Sequence, residues 1–129
     1  MSYKSNFAQI MNSIEAEIKG EIRVQSEILD NENRSLIQDT KTGRFYGDHQ
    51  ASAPGEPWAN WTGTTRASFF TEQRDNGFTG VFGATSPIAL YLEFGTERIA
   101  ARPTQRVALS NRQQPIVRGL AAALKRGTV

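Results

Sequence analysis

Apolar side chains in the first quarter of the chain lie three or four residues apart, which is the repeat of one face of an α-helix. They are Phe7, Ile10, Met11, Ile14, Ile18, Ile22, Ile28 and Leu29. This spacing predicts one amphipathic helix from residue 5 to about residue 29, with Ser5 or Asn6 capping its first turn. Such a helix is roughly 37 Å long, more than a small domain needs to cover its own core. We therefore expect its far end to pack on another molecule.

The chain has little apolar material for a core. Only 38% of its 129 residues are hydrophobic, which is low for a globular protein but not low enough to predict disorder. This length fits one domain, and a domain of this size gains from oligomerisation because it buries a modest share of its surface. We expect a single domain over residues 1–129 whose fold is completed by neighbouring subunits.

Residues 30–61 show no helical period. Pro54 and Gly55 predict a turn or an open loop, and segments this long without secondary structure are usually functional or flexible. We expect residues 39–61 to form an extended arm that becomes ordered when it docks on a partner. The arm carries four aromatic side chains, Phe45, Tyr46, Trp58 and Trp61.

The middle of the chain predicts a β-hairpin. Residues 78–84 alternate large apolar and small side chains, which is the period of a half-buried strand. Asp75-Asn76-Gly77 before them is a strong turn signal, so residues 69–74 would form the other strand. Residues 62–70 could instead contain a short helix capped by Thr62.

Prolines and glycines divide the C-terminal part into short helices. Pro87 suits the first position of one helix and Gly95 suits its C-terminal cap. Pro103 begins another helix that runs to about Ser110, and Pro115 interrupts it and begins a last one. The whole pattern predicts an α+β protein, with a small antiparallel β-sheet packed against a long N-terminal helix and shorter C-terminal helices, and with an extended arm.

The net charge of +2 hides an asymmetry along the chain. Residues 1–97 carry eight basic and 13 acidic side chains, a net charge of −5, whereas residues 98–129 carry seven basic side chains and no acidic one. A subunit polarised in this way could bind a copy of itself head to tail or present a basic face to an anionic partner. A solvated basic tail is the simpler alternative.

Few residues in the sequence could carry out catalysis. The chain has no cysteine and one histidine, His49, which removes disulfides, thiolate metal sites and most nucleophile–base pairs. Glu93 is the one carboxylate in an apolar helix, and it has no paired acid. Gly77, Gly80 and Gly83 lack the lysine and helix start of a phosphate loop, so they favour close packing of a strand. We expect no catalytic residue, cofactor or metal, and a small hydrolase is the least favoured class.

The sequence also bears on location. No stretch approaches the ~20 apolar residues of a membrane span, and no signal peptide is visible. We therefore expect the protein to be made and assembled in a cytoplasm, without a membrane partner.

Aromatic residues beside arginines leave two kinds of partner open. Arg44-Phe45-Tyr46 could stack on and neutralise a single nucleic acid strand, as could the stretch from Trp61 to Arg66. Aromatics and arginine are also enriched in protein–protein hot spots, which we favour because Trp58 and Trp61 lie among prolines and glycines. Packing of one tryptophan in the core remains a third interpretation.

Several short segments follow one another in a recognisable order. They are Ala53-Pro54-Gly55-Glu56-Pro57, Thr62-Gly63-x-x-Arg66-x-Ser68, Tyr91-Leu92-Glu93-Phe94-Gly95-Thr96, Ala101-Arg102-Pro103 and Ala108-Leu109. In this order they resemble the tail-completion, or head–tail joining, family of long-tailed bacteriophages and prophages. The resemblance covers about residues 50–110, and the segments at 91–96 and 101–103 are its most specific part. The chain departs from the family pattern where leucine, phenylalanine and proline are common, at Thr65, Thr104 and Val107.

The resemblance implies a structural virion protein of the phage neck, with a small β-sheet packed by helices and no catalytic activity. It implies a ring, typically a hexamer, at the head-proximal end of the tail. The partners would be copies of the chain itself, a head-side connector or stopper protein, and a tail terminator or tail tube protein. DNA would pass through the ring without sequence-specific contact. Tail terminator and stopper are alternative neck roles, and a basic DNA-binding module formed by residues 98–126 is the alternative outside the neck.

Residue roles follow for the matched positions. Glu93 is expected to pair with Arg98 or Arg102, within or between subunits, or else to be a helix-surface carboxylate. Arg66 would anchor the arm or an acidic helix of a neighbour. The full set of expected partner contacts is Arg44, Phe45, Tyr46, Trp58, Trp61, Arg66, Glu93, Arg98, Arg102 and Arg106. The expected structural residues are Pro54, Gly55, Gly63, Gly95 and Pro103.

Overall fold

A long N-terminal helix is the main element of the fold. The computed structural model describes residues 3–60 and 63–128, so the expectations for Trp61 and Thr62 lie outside the described residues. Helix α1 covers Tyr3–Gln38, and the predicted end at about residue 29 is therefore wrong. The apolar period disappears after residue 29 because the buried face becomes polar: Asp30 and Asn33 are buried there beside Ile37. An ion pair between residues one helical turn apart, from Arg34 Nε to Asp30 Oδ2 at 2.9 Å, stabilises this last part of the helix.

The C-terminal helix, α3, covers Gln105–Thr128 and packs along α1. Pro115 lies inside it, so the predicted division into two helices at this proline is wrong. Packing on α1 holds the helix together, although the proline lacks the N–H that would bond the carbonyl of Asn111. The two helices run antiparallel, because Asn111 of α3 bonds Glu32 of α1 whereas Gly127 lies against Ile14.

Small residues allow α1 and α3 to approach closely. Gly119, Ala123 and Gly127 are spaced by four residues and lie on one face of α3. Ala123 is fully buried, and a β-carbon added to Gly127 would lie 2.6 Å from the Cα atom of Ile14. At Gly127 the backbone of α3 therefore lies directly against the backbone of α1.

Two glycine-to-alanine substitutions should have opposite effects on stability. Gly20→Ala should raise the free energy of unfolding by up to about 1 kcal/mol, because alanine favours the helix and no atom lies within 4 Å of the new methyl group. Gly127→Ala should lower it by about 1–3 kcal/mol, because the methyl group overpacks the contact with the Ile14 backbone. Urea unfolding of both variants tests this, and stabilisation by both would contradict the close approach.

The predicted hairpin is confirmed. Strand β3 (Phe69–Arg74) pairs antiparallel with strand β4 (Thr79–Ala84). Asp75, Asn76 and Gly77 all have positive φ angles in the turn between them, which explains the Asp-Asn-Gly sequence. The hairpin packs on α1, where a β-carbon on Gly80 would collide with Ser26 Oγ. The segment before β3, Arg66–Ser68, is a single 3₁₀ turn.

Residues 39–60 fold back onto the rest of the chain, and the prediction of an extended arm is wrong. They contain a second small antiparallel pair, β1 (Phe45–Tyr46) and β2 (His49–Gln50). The segment is anchored by backbone hydrogen bonds from Asn60 N to Ile37 O and from Gly55 N to Ala101 O.

The core lies where this segment meets α1 and the β3–β4 hairpin. Trp58 is only 6% exposed, and its ring meets Phe69 edge-on with 5.9 Å between the ring centres. Ile37 completes the buried cluster, and Ala84 and Leu92 pack against it. The α+β class is confirmed, and the described part of the chain holds two two-stranded antiparallel sheets rather than one. Within residues 3–60 and 63–128, each helix is too short or too polar to cross a bilayer.

Candidate interaction surfaces

A short helix carries a buried carboxylate that forms hydrogen bonds with another secondary-structure element. Helix α2 covers Pro87–Phe94, and the Ser86 side chain caps it by accepting a hydrogen bond from the Ile88 N–H. Glu93, near its end, is 5% exposed. The apolar composition of α2 had already made this carboxylate conspicuous in the sequence.

Glu93 caps the first turn of α3. Its Oε1 accepts hydrogen bonds from the Thr104 N–H at 2.8 Å and the Gln105 N–H at 3.0 Å. Its Oε2 accepts from the Arg106 N–H at 3.2 Å and from Arg106 Nε at 2.8 Å. A carboxylate at this position satisfies helix N–H groups that otherwise have no partner and also opposes the positive end of the helix dipole.

The partner of Glu93 is therefore Arg106 of the same chain. Within the chain, the expected pairs with Arg98 or Arg102 are not formed, and the alternative of a surface carboxylate is wrong because Glu93 is buried. The Arg106 guanidinium additionally donates to the backbone carbonyl of Glu93. Two features of the sequence were compatible with this cap: the first turn of α3 holds no acidic residue of its own, and Glu93 is the one acid in α2.

The surroundings of Glu93 favour its charged form. Burial raises the pKa of this carboxyl, but hydrogen bonds from the Arg106 side chain and from three backbone N–H groups outweigh burial. The pKa of Glu93 is therefore below its usual value of 4.5. A depressed pKa in the folded state means that the ionised carboxylate stabilises the fold above the unfolded pKa.

The lowered pKa of Glu93 predicts how its contribution to stability changes with pH. The stability that it contributes should be complete at neutral pH and should be lost as the pH falls from about 4.5 through the lower folded-state pKa. We expect the difference in unfolding free energy between the wild type and Glu93→Gln to shrink over this range. Urea unfolding of both proteins from pH 7 to pH 3 measures it, and a difference that is constant with pH would contradict the assignment.

Three of the segments that carry the family resemblance, at residues 53–57, 91–96 and 101–103, meet near this cap. The side chain of Arg102 donates through Nε to the Ser52 carbonyl at 3.3 Å, and the Gly55 N–H donates to the Ala101 carbonyl at 2.9 Å. The turn at Pro54 and Gly55 thus lies against the segment that ends at Pro103, which leads into α3. The sequence order alone did not indicate that these segments meet.

Gly95 ends α2 as predicted. Its φ of +76° and ψ of 175° lie in a region that is almost exclusive to glycine, and its N–H donates to the Tyr91 carbonyl at 2.8 Å. A β-carbon there would lie 2.8 Å from Ala101 N and 2.9 Å from Ile99 O. Gly55 and Gly63 also have positive φ, but an added β-carbon there would meet open space.

The remaining predicted contact residues are divided between the interior and the surface. Trp58 lies in the chain's own core, so its assignment as an anchor for a partner is wrong. Phe45 and Tyr46 are exposed on the small β1–β2 pair, where the Arg44 guanidinium lies 5.3 Å from the Tyr46 ring centre. Arg66 has a buried Nε that finds no hydrogen-bond partner within the described part of the chain.

The outer face of α2 is apolar and exposed. Ile88, Leu90, Tyr91 and Phe94 are each more than half exposed. Leu90 and Phe94 border a groove of about 300 Å³ between the end of β4, α2 and the start of α3, which we call the α2–α3 groove. Its other lining residues are Gly83, Ala84, Ser86, Ala89, Glu93, Gln105 and Arg106. The one charge at its rim, Arg106, is neutralised by Glu93 and lies over the Phe94 ring at 4.9 Å.

A second apolar surface lies at the start of α1. Because α3 ends opposite Ile14, residues 3–13 of α1 continue beyond it, and we call them the α1 overhang. Every side chain from residue 6 to residue 13 is exposed. Phe7, Ile10 and Met11 form the apolar stripe of this segment, and Phe7 is 66% exposed.

The charge asymmetry of the sequence is partly satisfied inside the molecule. Arg126 of α3 forms ion pairs with Glu17 at 2.9 Å and with Glu21 at 3.5 Å on α1. Arg106 is engaged by Glu93. The basic C-terminal part therefore serves in part to hold α3 on the acidic α1, and it is not simply a solvated tail.

Comparison with known proteins gives no relative: no family model, no curated protein and no solved structure matches the chain. Among the described residues, no group of three or more histidine and carboxylate side chains is placed to hold a metal ion. The candidate interaction surfaces are the α2–α3 groove, the α1 overhang and the exposed aromatic pair Phe45 and Tyr46.

Proposed function

We propose that this protein is a non-catalytic structural subunit of a bacteriophage neck, which assembles with copies of itself into a ring between the DNA-filled head and the tail tube. The observation that carries the proposal is the exposure of large apolar side chains on the α1 overhang and on α2. Contiguous exposed apolar patches of this kind mark interaction sites in soluble proteins. A chain with a small core and two such surfaces is suited to permanent assembly.

The phage neck is proposed because of the family resemblance, and the convergence of the resembling segments supports it. The Tyr91–Thr96 block, the Ala101–Pro103 block and the turn at residues 53–56 form one connected region around the Glu93 cap. A shared local architecture would account for a sequence pattern spread over some sixty residues. The same proposal includes a hexameric ring. It also includes a connector or stopper protein on the head side of the ring and a tail tube or terminator protein on the tail side.

The proposal is tested in virus particles produced from the genome that encodes this chain. A gold-labelled antibody against the protein should mark the junction between head and tail, and crosslinking should join it to a connector-side protein and a tail-side protein. A particle from which the gene has been deleted should accumulate filled heads and separate tails. Complete, infectious particles without the protein would overturn the proposal. Crosslinks to only one side would assign it to the stopper or terminator role instead.

DNA binding is the second candidate function. Arg98, Arg118 and Lys125 are exposed, and within the described residues no ion pair holds them, whereas Arg106 and Arg126 are engaged by carboxylates. We expect at most weak, salt-sensitive binding to duplex DNA, because few phosphates can be neutralised. Fluorescence anisotropy with a labelled duplex over a salt series measures this. Tight binding that persists at physiological salt would favour the DNA-binding module over the neck subunit.

A further inference from the structure

We infer that the α1 overhang of one subunit docks into the α2–α3 groove of a second copy of this chain. The inference rests on the proposed self-assembly and names the two surfaces that would perform it. Three observations support it: where the two apolar surfaces lie, what charges they carry, and which of their side chains are uncovered.

The two surfaces lie at opposite ends of the molecule. The α2 segment packs beside Ile37 at the end of α1, since Leu92 of α2 contacts the cluster that contains Ile37. Met11 lies 26 residues earlier on the same continuous helix, which corresponds to roughly 39 Å. The overhang therefore cannot reach the groove of its own chain, and only another molecule can bring the two together.

The electrostatic character of the two surfaces fits an apolar contact. Residues 3–13 contain a single charged residue, Lys4, and no acidic one. The groove presents Leu90 and Phe94, and its rim charge, Arg106, is already paired with Glu93. Burying these surfaces against each other desolvates no unpaired carboxylate, as expected for the charge-poor centre of an interface.

The apolar stripe of the overhang has the spacing of a helix that lies in a groove. Phe7, Ile10 and Met11 follow one another at intervals of three and one, which places them on one face, in line with Ile14. Phe94 in the groove is 63% exposed and Leu90 is also exposed, so both can contact the apolar side chains of an overhang.

Pairing of different surfaces makes the contact heterologous. Each subunit then offers one overhang and one groove, and repetition of the contact leads to a closed ring or an open filament. The contact involves few large side chains compared with the 20–30 residues that a standard interface holds on each side. Assembly through this contact is therefore expected to depend on protein concentration.

The test uses two double variants of the full chain and one matched control. The overhang variant is Phe7→Glu with Met11→Gln, the groove variant is Leu90→Gln with Phe94→Gln, and the control is Val117→Gln, an exposed apolar residue outside both surfaces. Circular dichroism and thermal unfolding confirm that each variant is folded. Sedimentation velocity over a concentration series then gives the assembly state.

The wild type and the control should form assemblies larger than a dimer, and each double variant alone should remain at the monomer mass of 14.3 kDa. An equal mixture of the two double variants should form a species of twice that mass and nothing larger, because each supplies the one intact surface that the other lacks. Assembly of the wild type should persist at about 0.5 M salt, since the contact is apolar.

Three results would overturn the inference. They are a mixture that stays monomeric, a double variant that still dimerises alone, and a wild type that is monomeric at every concentration. None of these decides the proposed function, which depends on the location of the protein in particles. Conversely, assembly by the overhang and groove in a protein that is absent from particles would support this contact and refute the neck role.

Discussion

Replacing Glu93 with alanine is expected to lower the free energy of unfolding by about 2–3 kcal/mol, because it leaves buried N–H groups without an acceptor and breaks an ion pair whose carboxylate is buried. The substitution removes the acceptor for the N–H groups of Thr104, Gln105 and Arg106. Thr104 is fully buried, so water does not replace the acceptor that its N–H loses. The Arg106 side chain is partly exposed and can be hydrated, which keeps the loss below that of a fully buried pair.

The matched control is Glu97→Ala, because Glu97 is an exposed carboxylate four residues further along the chain. Its replacement should change the unfolding free energy by no more than about 0.5 kcal/mol. Urea unfolding followed by circular dichroism measures both variants. Equal effects of the two substitutions would show that Glu93 does not cap α3.

Replacing Gly95 with alanine is expected to cost more than about 3 kcal/mol. The φ and ψ angles of Gly95 alone cost other residues about 1–3 kcal/mol. In addition, the new methyl group would lie 2.8 Å from Ala101 N and 2.9 Å from Ile99 O, which are backbone atoms that no side-chain rotation can move aside. The loop after α2 must therefore shift, and with it the Thr96 N–H bond to Ile99 O.

The Gly47→Ala variant separates the cost of the backbone conformation from the cost of the collision. Gly47 also has a positive φ, +64°, but no atom lies within 4 Å of the position that a β-carbon would take. Its replacement should cost only the roughly 1–2 kcal/mol of a left-handed backbone conformation. Thermal or urea unfolding measures the difference, and an equal loss in both variants would argue against a collision at Gly95.

Those parts of the fold that depend on neighbours along the chain could be predicted from the sequence. Residues 5–29 of α1 follow from their apolar spacing, and the β3–β4 hairpin follows from the Asp75-Asn76-Gly77 turn between two short strands. The end of α2 follows from Gly95. In each case the information lies within a few residues, where turn chemistry and side-chain period act directly.

The parts that were predicted wrongly depend on contacts between distant segments. Trp58 lies among prolines and glycines, and only its contact with Phe69 and Ile37 places it in the core. Residues 30–38 of α1 show no apolar helical repeat in the sequence, because polar residues such as Asn33 lie on the buried face. Pro115 would end an isolated helix, but α3 continues through it because small residues let α3 pack closely on α1.

The candidate site was predicted in part. The sequence singled out Glu93 and Arg106, but it assigned Glu93 to other arginines, because a separation of 13 residues across a loop gives no local signal. The exposed aromatic pair at Phe45 and Tyr46 was found by composition, whereas the exposure of Phe7, Ile10 and Met11 on α1 is seen only in the folded structure. Exposure of a helix face is a property of the whole fold, and the period of that face alone does not reveal it.

The single carboxylate that joins α2 to α3 has an evolutionary consequence. Because Glu93 bonds α2 to the start of α3, and both helices border the groove, a mutation there is expected to alter both folding and the shape of that surface. Selection for a stable fold and selection for the shape of this surface therefore act on the same position. Among descendants of this gene, changes at residue 93 are expected to occur together with changes at residue 106, and to be rarer than changes at the exposed carboxylates of α1.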